Sequence, residues 1–417
     1  MTSQNRTHRN HYVPEWYQRR FLPHGVDRFF YLDLKPDVVK IGPGRSYTRK
    51  SLLGWGPSRC FYQDNLYTLK LGAWTTDAIE HEFFGPIDDR GKSAVSFFAD
   101  YSISDKSHEA FKNIMPYMDA QRLRTPRGLD WLKFVAKTSD QNRLLQIMAR
   151  VFQLHATMWT EGVWEVVRAD SSQTKFLVTD QPVTFYNSTV FPASPKIPYP
   201  LDAQLQHVGT RTIFPLSSER CLIITHLQLV RNPWTNPGRS RVNARSYQSA
   251  MFDLQQIQTD RQLTDNEVTR INFILKRRAT RYIAAADEEW LHPERHLSTT
   301  HWSKLDEDWF LFPNLYKVQF SSGIVAGWDD GSSWASDEYG RLRNDPHYQD
   351  KKQHGEEWVT AQKAKLAWAV KREGRSAARS HHQFNDGEDR IMKRELARYH
   401  EGIAKKRPET AISRQRS

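Results

Sequence analysis

The sequence predicts an α+β fold in which a helical N-terminal half packs on a small, mostly antiparallel sheet. C-terminal helices follow, and after them a charged, largely disordered tail. Three observations lead to this prediction: helical spacing dominates residues 76–160, short β-branched and aromatic runs fill 163–225, and helical spacing returns between 241 and 286. Separate blocks of helices and strands are typical of α+β proteins, whereas a parallel α/β sheet alternates the two.

The first predicted elements are short. Residues 29–34 have the composition of a buried strand, 35–44 follow as a Pro- and Gly-rich loop, and 60–71 are compatible with a second strand or a pair of turns. A helix is expected from Thr76, whose side chain can cap its N-terminus. Pro86 should interrupt the apolar face of that helix.

The central region shows the clearest periodicity. A helix is predicted at 107–122, and 140–160 gives the strongest helical signal because apolar residues recur at three- and four-residue spacing. Two further helices are expected at 241–258 and 265–286. Before them lie five strand-like runs, at 163–167, 175–179, 183–186, 210–214 and 220–225.

We expect three regions along the 417 residues. Residues 1–287 form the α+β core, and 288–340 are a Trp- and acid-rich extension in which 317–334 could form a β-hairpin. Residues 341–417 are a basic tail of low order. The tail holds nineteen Lys and Arg against eleven Asp and Glu, so it carries +8 of the net charge of +12. The core is therefore only mildly basic, which argues against a folded nucleic-acid platform.

Composition excludes several classes of protein. Hydrophobic residues at 38%, with 12% aromatics, are sufficient for a sizeable core. The two cysteines, Cys60 and Cys221, are too few for a disulfide framework or a four-thiolate zinc site. No apolar run approaches the roughly 20 residues of a membrane helix, and the N-terminus has no apolar secretion segment. We therefore expect a cytoplasmic protein without membrane contact.

The densest motif is HYVPEWYQRRF at residues 11–21, which combines a histidine, a proline, several aromatic residues and two arginines. Chain ends are usually polar and frayed, so this density predicts a segment built into the core or into a site.

This motif resembles the opening of domain-of-unknown-function family 4238, a mainly microbial family. The resemblance covers residues 11–286 and implies an expected core and a candidate site, but no reaction, because the family has no agreed activity. Gln181 stands where the family commonly has asparagine, and Ser218-Glu219 stand in place of a second proline. Five segments carry the resemblance in order: His11-Tyr12-Val13-Pro14 with Tyr17, Arg20 and Phe21; Asn65-Leu66-Tyr67 with Ile79-Glu80 and Phe83-Phe84; 121–126; 176–183; and 213–218.

Polar residues of these segments are the candidate site. Imidazole titrates near neutral pH and carboxylates at strand ends are held by a rigid scaffold, so both types suit catalysis. We predict catalytic roles for His11, Glu82, Gln121, Arg122 and Asp180. Asp180 and Glu82 are also the tentative metal ligands, and the spacing leaves open whether Glu80 takes the place of Glu82.

Three further residues, Arg20, Arg124 and Tyr17, are candidates for substrate binding, since guanidinium groups clamp phosphate or carboxylate. Structural explanations remain open for several members of the set. His11 could anchor the N-terminal arm, and Asp180 could accept backbone N–H bonds from its turn. Arg20 and Arg122 could form ion pairs with Glu80 or Glu82.

Two functions follow from these residues. The first is a metal-dependent phosphodiesterase or nuclease, in which Mg²⁺ or Mn²⁺ on carboxylates activates water while arginines hold the phosphate. The alternative is a non-catalytic module whose basic tail binds nucleic acid or a protein partner. The sequence contains no Walker loop, GxGxxG, HExxH, GxSxG or paired CxxC motif, so neither function has a signature motif.

Overall fold

Two four-stranded antiparallel sheets form the centre of the protein, which we describe from a computed structural model. The chain divides into two units, Met1–Ala361 and Gln362–Ser417. The structure describes residues 9–42, 44–71, 74–76, 78–151, 155–192, 194–195, 197–241, 254–318, 324–327, 329–336, 351–374 and 376.

Each large sheet combines strands that are distant in sequence. The first has the order β10-β14-β2-β5 and the second has the order β11-β12-β13-β9. Their bounds are β2 Phe29–Asp33, β5 Leu52–Trp55, β9 Gly162–Arg168, β10 Val178–Thr179, β11 Thr184–Tyr186, β12 Arg211–Pro215, β13 Arg220–His226 and β14 Tyr282–Ala285.

The other strands form antiparallel pairs: β1 Arg9–His11 with β6 Tyr62–Asp64, β3 Val38–Gly42 with β4 Arg45–Thr48, β7 Leu69–Leu71 with β8 Trp74–Thr76, and β15 Ile324–Gly327 with β16 Ser333–Ser336. The helices are α1 Glu15–Gln18, α2 Gly85–Ala99, α3 Ser107–Leu123, α4 Pro126–Ala136, α5 Gln141–Val151, α6 Ala156–Thr160, α7 Leu227–Arg231, α8 Asp265–Arg278 and α9 Lys351–Glu373, and a π-helical segment, Ile79–Phe84, precedes α2. Within the described residues, no helix is long and apolar enough to cross a membrane.

The second sheet is buried on both faces along β9 and β13. Six consecutive residues of β9, from Gly162 to Val167, are buried, and so are six of β13. Helices cover such a sheet and explain why these strands appear in sequence as continuous apolar runs instead of alternating ones. Trp164 illustrates this packing: the centroid of its ring lies 5.6 Å from that of Phe98 in α2 and 5.1 Å from that of Phe111 in α3.

The chain passes from one large sheet to the other between β10 and β11. Thr179 pairs with Ile283 of the first sheet, and Thr184 pairs with Ile213 of the second. Only four residues join these strands, so the crossover brings the edges of both sheets together. Asp180 and Gln181 lie in this crossover.

The predicted α+β class and antiparallel sheets are confirmed, and α3 confirms the helix expected at 107–122. One expectation for the N-terminal part was wrong: the region 35–44, expected as a loop, contains the strand β3, which pairs with β4. The strand expected at 29–34 is β2. Pro86 does not interrupt a helix: it lies in the first turn of α2, where its missing N–H costs no hydrogen bond.

Two predicted helices, at 140–160 and at 265–286, differ from the helices that the structure describes. The helix expected at 140–160 is two helices, α5 and α6, on either side of residues 152–154, which lie outside the described part. The helix expected at 265–286 ends at Arg278, because Tyr282–Ala285 pairs with β2 and β10. The helix predicted at 241–258 falls largely outside the described residues, and α4 was not predicted.

Candidate functional site

The motif at residues 11–21 is built into the core, as its composition predicts. Tyr12, Val13 and Tyr17 are buried. The Gln18 side chain donates from Nε2 to the Val13 carbonyl at 2.8 Å. Tyr17 donates its hydroxyl proton to the carbonyl of Pro215 at the end of β12 and stacks on Phe214. Tyr17 therefore attaches the N-terminal arm, residues 11–21, to the second sheet through its hydroxyl group and through the face of its ring.

His11 lies in β1 and is half-buried. Its Nε2 atom lies 3.7 Å from Oε1 of Glu15, and its ring is tilted against Tyr62 of β6 at 5.8 Å. Burial lowers the pKa of His11, although the Glu15 charge opposes this effect. These contacts place His11 at the junction of β1, β6 and α1.

Gln121 and Arg124 form a buried polar network at the end of α3. Gln121 donates from Nε2 to the Tyr12 carbonyl at 2.6 Å and accepts from Nε of Arg124 at 3.0 Å. Arg124 donates to Asp88 at 2.9 Å, and the Tyr67 hydroxyl donates to the Arg124 carbonyl at 2.6 Å. Burial disfavours the charge of Arg124, but Asp88, Tyr117 and Tyr67 together outweigh it and the pKa of Arg124 is raised. This network attaches the N-terminal arm to α3.

Asp180 is fully engaged with backbone. Its Oδ1 accepts the Thr280 N–H at 2.9 Å, and its Oδ2 accepts the N–H groups of Arg281 and Tyr282 at 2.6 and 2.9 Å. Burial raises the pKa of Asp180, while these backbone bonds oppose the rise. Asp180 thus accepts backbone N–H bonds, as the structural explanation supposes, but the donors belong to the segment that leads into β14 and not to its own turn.

The remaining carboxylates and Arg20 lie apart from Asp180. Glu82 is exposed in the π-helical segment, whereas Glu80 accepts from Nδ2 of Asn10 at 3.4 Å. Arg20 donates to the Leu216 carbonyl at 2.6 Å and to Ser96 at 3.0 Å. The alternative in which Arg20 pairs with Glu80 or Glu82 was therefore wrong.

The structure thus brings together some of the residues that were predicted to form one site. The N-terminal arm does lie beside the end of β10, since burial and then the charge of Asp180 raise the pKa of Tyr12. Gln121 and Arg124 hold this arm, but His11 faces Glu15. Arg122 is directed elsewhere, into a separate cavity.

That cavity has a volume of about 290 Å³, near the lower end for small-molecule sites. It lies beside the sheet crossover and the N-terminus of α4, whose residues Arg127 and Gly128 line it. The other wall residues that carry its chemistry are Arg122, Trp131, His155, Gln181 and Phe185, and the segment 200–206 completes the wall. Gln181 is fixed by its bond from Nε2 to Oγ1 of Thr125, 2.9 Å long.

Arg122 stacks on an aromatic ring in this cavity. Its guanidinium carbon lies 3.5 Å from the centroid of the Phe185 ring. Nε of Arg122 is buried, and no acceptor among the described residues hydrogen-bonds it. Burial lowers the pKa of Arg122 to about 9; Asp119 opposes this shift and Arg127 adds to it. A buried cation under this penalty is stabilised by any anion that enters the cavity.

Two more arginines contribute positive potential. Arg127 donates to the Leu201 carbonyl at 2.7 Å, and burial lowers its pKa. Arg278, at the end of α8, is buried behind the wall and forms an ion pair with Asp202, which lines the cavity. Burial and then repulsion by Arg127 and Arg122 lower the pKa of Arg278. Three guanidinium groups therefore act on one small volume, with Asp202 as a partial counter-charge.

A histidine oriented by a carboxylate lies on the same wall. Nδ1 of His155 is 2.6 Å from Oδ1 of Asp119, and the His155 backbone N–H donates to Oδ2 at 3.3 Å. Asp119 is fully buried in α3, and the His155 side chain is 12% exposed. A carboxylate at this distance keeps the proton on Nδ1, which leaves Nε2 as a proton acceptor.

Sequence reasoning missed this pair. His155 shares the three- and four-residue spacing of the apolar residues in the helix predicted at 140–160, and that spacing does not indicate a site. The signal that could have identified the pair is Asp119, a carboxylate within the buried face of α3 next to Met118 and Ala120. A buried aspartate in such a position requires a donor from elsewhere in the chain.

The predicted metal ligands are not arranged around an ion. Both oxygens of Asp180 are taken by backbone N–H groups, and Glu82 is exposed. Over the described ranges, no group of three or more His, Cys, Asp and Glu side chains is placed to hold a metal ion. The residues present therefore do not fit Mg²⁺ or Mn²⁺ at Asp180.

Comparisons with known proteins bear on the middle of the chain. The family model described as "Protein of unknown function (DUF4238)" matches residues 90–289. Searches of curated proteins and of solved structures found no match. The matched segment contains Asp119, Arg122 and His155, whereas the motif at residues 11–21 lies outside it. The resemblance inferred from the sequence is thus confirmed over residues 90–289, which are similar to the uncharacterised DUF4238 family.

Proposed function

We propose that the protein binds an organic phosphate in the cavity beside the sheet crossover and hydrolyses its ester bond. The observation that carries the proposal is the Asp119–His155 pair on the wall of a cavity that also presents Arg122 and Arg127. An oriented imidazole and guanidinium groups around one volume are the parts that phosphoryl chemistry requires.

The cations supply binding. Arg122 lines the cavity with its guanidinium carbon 3.5 Å from the centroid of the Phe185 ring, so a phosphate in the cavity meets a buried cation. The N-terminus of α4 adds a positive end of a helix dipole at Arg127 and Gly128. The apolar ring of Trp131 lines the same wall and suits the organic part of the ligand.

His155 supplies proton transfer. In the proposed step, water attacks phosphorus and its proton passes to Nε2 of His155, while the bond from phosphorus to the leaving oxygen breaks. The proton then moves from Nε2 to that leaving oxygen. Asp119 holds the imidazole in the required tautomer and stabilises the imidazolium that forms.

This proposal keeps the hydrolysis of a phosphate ester from the metal-dependent phosphodiesterase or nuclease predicted from the sequence, but it uses no metal ion and assigns the proton transfer to His155 in place of His11. Arg122 is the member of the predicted set that lies in the cavity. The alternative function, binding of nucleic acid or protein by the tail, stays a prediction, because the structure describes only 351–374 and 376 of that segment.

The test measures nitrophenolate release from bis(p-nitrophenyl) phosphate and from p-nitrophenyl phosphate by the full chain. The diester and the monoester separate the two kinds of phosphate ester. His155→Gln should lower turnover of the preferred substrate by about 10²-fold or more. His11→Gln, a matched change at another half-buried histidine, should leave turnover within about twofold.

Two results would contradict the proposal. One is no turnover of either ester by the wild-type chain. The other is an equal loss in the His11→Gln and His155→Gln variants, or a loss in His11→Gln alone. Thermal unfolding of each variant shows whether a loss of turnover reflects a loss of fold.

A further inference from the structure

The hairpin formed by β3 and β4 stands out from the rest of the protein because almost all its residues are exposed. Val38, Lys40, Ile41 and Gly42 of β3 are exposed, and so are all four residues of β4. In the register, Val38 pairs with Thr48 and Lys40 with Ser46. The hairpin is therefore a two-stranded ribbon with both faces open to solvent.

The base of this ribbon is fixed to the first large sheet. Arg281, next to β14, forms ion pairs of 2.9 Å with Asp33 at the end of β2 and with Asp37 at the start of the ribbon. The Arg49 N–H donates to the Asp37 carbonyl at 2.9 Å and closes the ribbon. A ribbon held at its base presents its side chains in a defined direction.

Charge on the ribbon has one sign. Five basic residues lie on it or at its base, and Asp37 is the acidic residue among positions 35–50. Arg281 is shared between Asp33 and Asp37, so the three groups together keep one negative charge, which the five basic side chains outnumber. The five are Lys35, Lys40, Arg45, Arg49 and Lys50.

Large apolar side chains lie between these cations. Val38, Ile41 and Tyr47 are 63%, 66% and 51% exposed. Apolar groups this exposed on an edge ribbon are unfavourable in water and favour a partner that covers them. Basic and apolar groups on a single narrow ribbon fit a surface that offers both phosphates and apolar edges.

We propose that the ribbon β3–β4 binds double-stranded DNA by entering the major groove. A five-residue strand spans about 16 Å at roughly 3.3 Å per residue, and the major groove of B-DNA, about 12 Å wide, admits a two-stranded ribbon. The basic residues contact backbone phosphates along the groove edges, while Tyr47, which lies on the face opposite Val38, reaches base edges such as the thymine methyl group. Double-stranded RNA is a poor fit because its major groove is deep and narrow.

This proposal does not rest on the hydrolysis proposed above. It also differs from the prediction that the tail, residues 341–417, binds nucleic acid, since the strands of the ribbon lie at Val38–Gly42 and Arg45–Thr48. Because the tail is basic and can contribute to binding, the test compares variants in the full chain and not truncated forms.

The test measures binding of a fluorescent 20-base-pair DNA duplex by anisotropy over a series of salt concentrations. The ribbon variant is Lys40→Gln with Lys50→Gln. The matched control is Lys92→Gln with Lys112→Gln, two exposed lysines of α2 and α3 that change the net charge equally. The exposed positions of both pairs preserve the fold, which thermal unfolding verifies.

The ribbon variant should bind the duplex at least about tenfold more weakly at 0.1 M salt, with a salt slope lower in magnitude by about 2. The control variant should match the wild type within about twofold. Equal weakening in the two variants would overturn the proposal, as would undetectable duplex binding by the wild type. Binding of single-stranded DNA or of an RNA duplex as tight as that of the DNA duplex would also overturn it.

Discussion

Nδ1 of His155 lies 2.6 Å from Oδ1 of Asp119, although 35 residues separate them in the chain. The carboxylate is fully buried, whereas the imidazole reaches the wall of the cavity. The pair therefore connects the interior of α3 with the solvent-facing volume in which Arg122 lies. A role in proton transfer predicts how each member should respond to substitution.

Asp119→Asn should lower turnover of the preferred phosphate ester by about 10²-fold or more. The asparagine amide can donate to Nδ1 and thereby favours the tautomer with the proton on Nε2, which cannot act as a base. The check is kcat and KM for the ester in both proteins, and the loss should fall on kcat. An unchanged kcat would remove Asp119 from the mechanism.

Arg122→Met should weaken binding of a phosphate ester at least about tenfold without lowering the free energy of unfolding. Burial lowers the pKa of Arg122 to about 9, so its charge is unfavourable in the ligand-free protein and its removal costs no stability. Isothermal titration with the ester and denaturant unfolding measure the two quantities.

Arg124→Met, two residues away, should differ from Arg122→Met in its effect on stability. Arg124 is buried and bonded to Asp88 and Gln121, so its loss should lower the free energy of unfolding by about 3 kcal/mol. If the two variants lose similar stability, the assignment of Arg122 to a ligand site and Arg124 to the scaffold fails.

Asp180→Ala should destabilise the protein by about 3 kcal/mol or more. The substitution leaves the backbone N–H groups of Thr280, Arg281 and Tyr282 without their acceptor, and each unpaired buried donor costs roughly 1–3 kcal/mol. Glu82→Ala, at an exposed position, should change stability by less than about 0.5 kcal/mol. Urea unfolding of both variants makes the comparison. A stable Asp180→Ala variant that has lost activity would instead support a catalytic role for Asp180.

His226 should make the protein sensitive to mild acid. Burial lowers its pKa, although Glu161 opposes the shift. Because the folded-state pKa is lower than the unfolded value of about 6.5, the neutral imidazole stabilises the fold above that pH, and this contribution is lost as the pH falls through the folded-state pKa.

The check is the free energy of unfolding at pH 7.5 and at pH 5. His226→Gln should lose less stability between these values than the wild type does. His24→Gln, at an exposed histidine, should behave as the wild type. If the three proteins lose the same stability on acidification, His226 is not the group responsible.

The strands of the second sheet could be predicted from sequence because burial on both faces leaves continuous apolar runs. The four strands β9, β11, β12 and β13 lie within about one to three residues of their predicted positions. The ribbon β3–β4 was not accessible, since its exposed residues carry no apolar alternation and its Pro and Gly residues indicate a loop. The end of α8 was also missed, because Tyr282 continues the helical spacing while its sheet partners are distant in sequence.

In the candidate site, too, features set by the local sequence could be predicted, and features set by contacts between distant segments could not. Burial of the motif at residues 11–21 follows from its local composition, whereas Gln121, for which the sequence predicts a catalytic role, is bonded to the Tyr12 carbonyl. The pairing of Asp119 with His155 does not, because it depends on how α3 and α6 are placed in three dimensions. Asp180 lies where the sequence placed it, at a strand end, but only the structure shows which donors it meets.

The crossover between the two large sheets limits how the length of this segment can vary. Asp180 and Gln181 are neighbours whose side chains reach different targets, the backbone before β14 and the cap of α4. Inserting or deleting one residue here would exchange these two targets and shift β11 out of register with β12. Loop grafting and insertion scanning should therefore avoid 180–183, whereas the segment 102–105, which is largely exposed, can accommodate added residues.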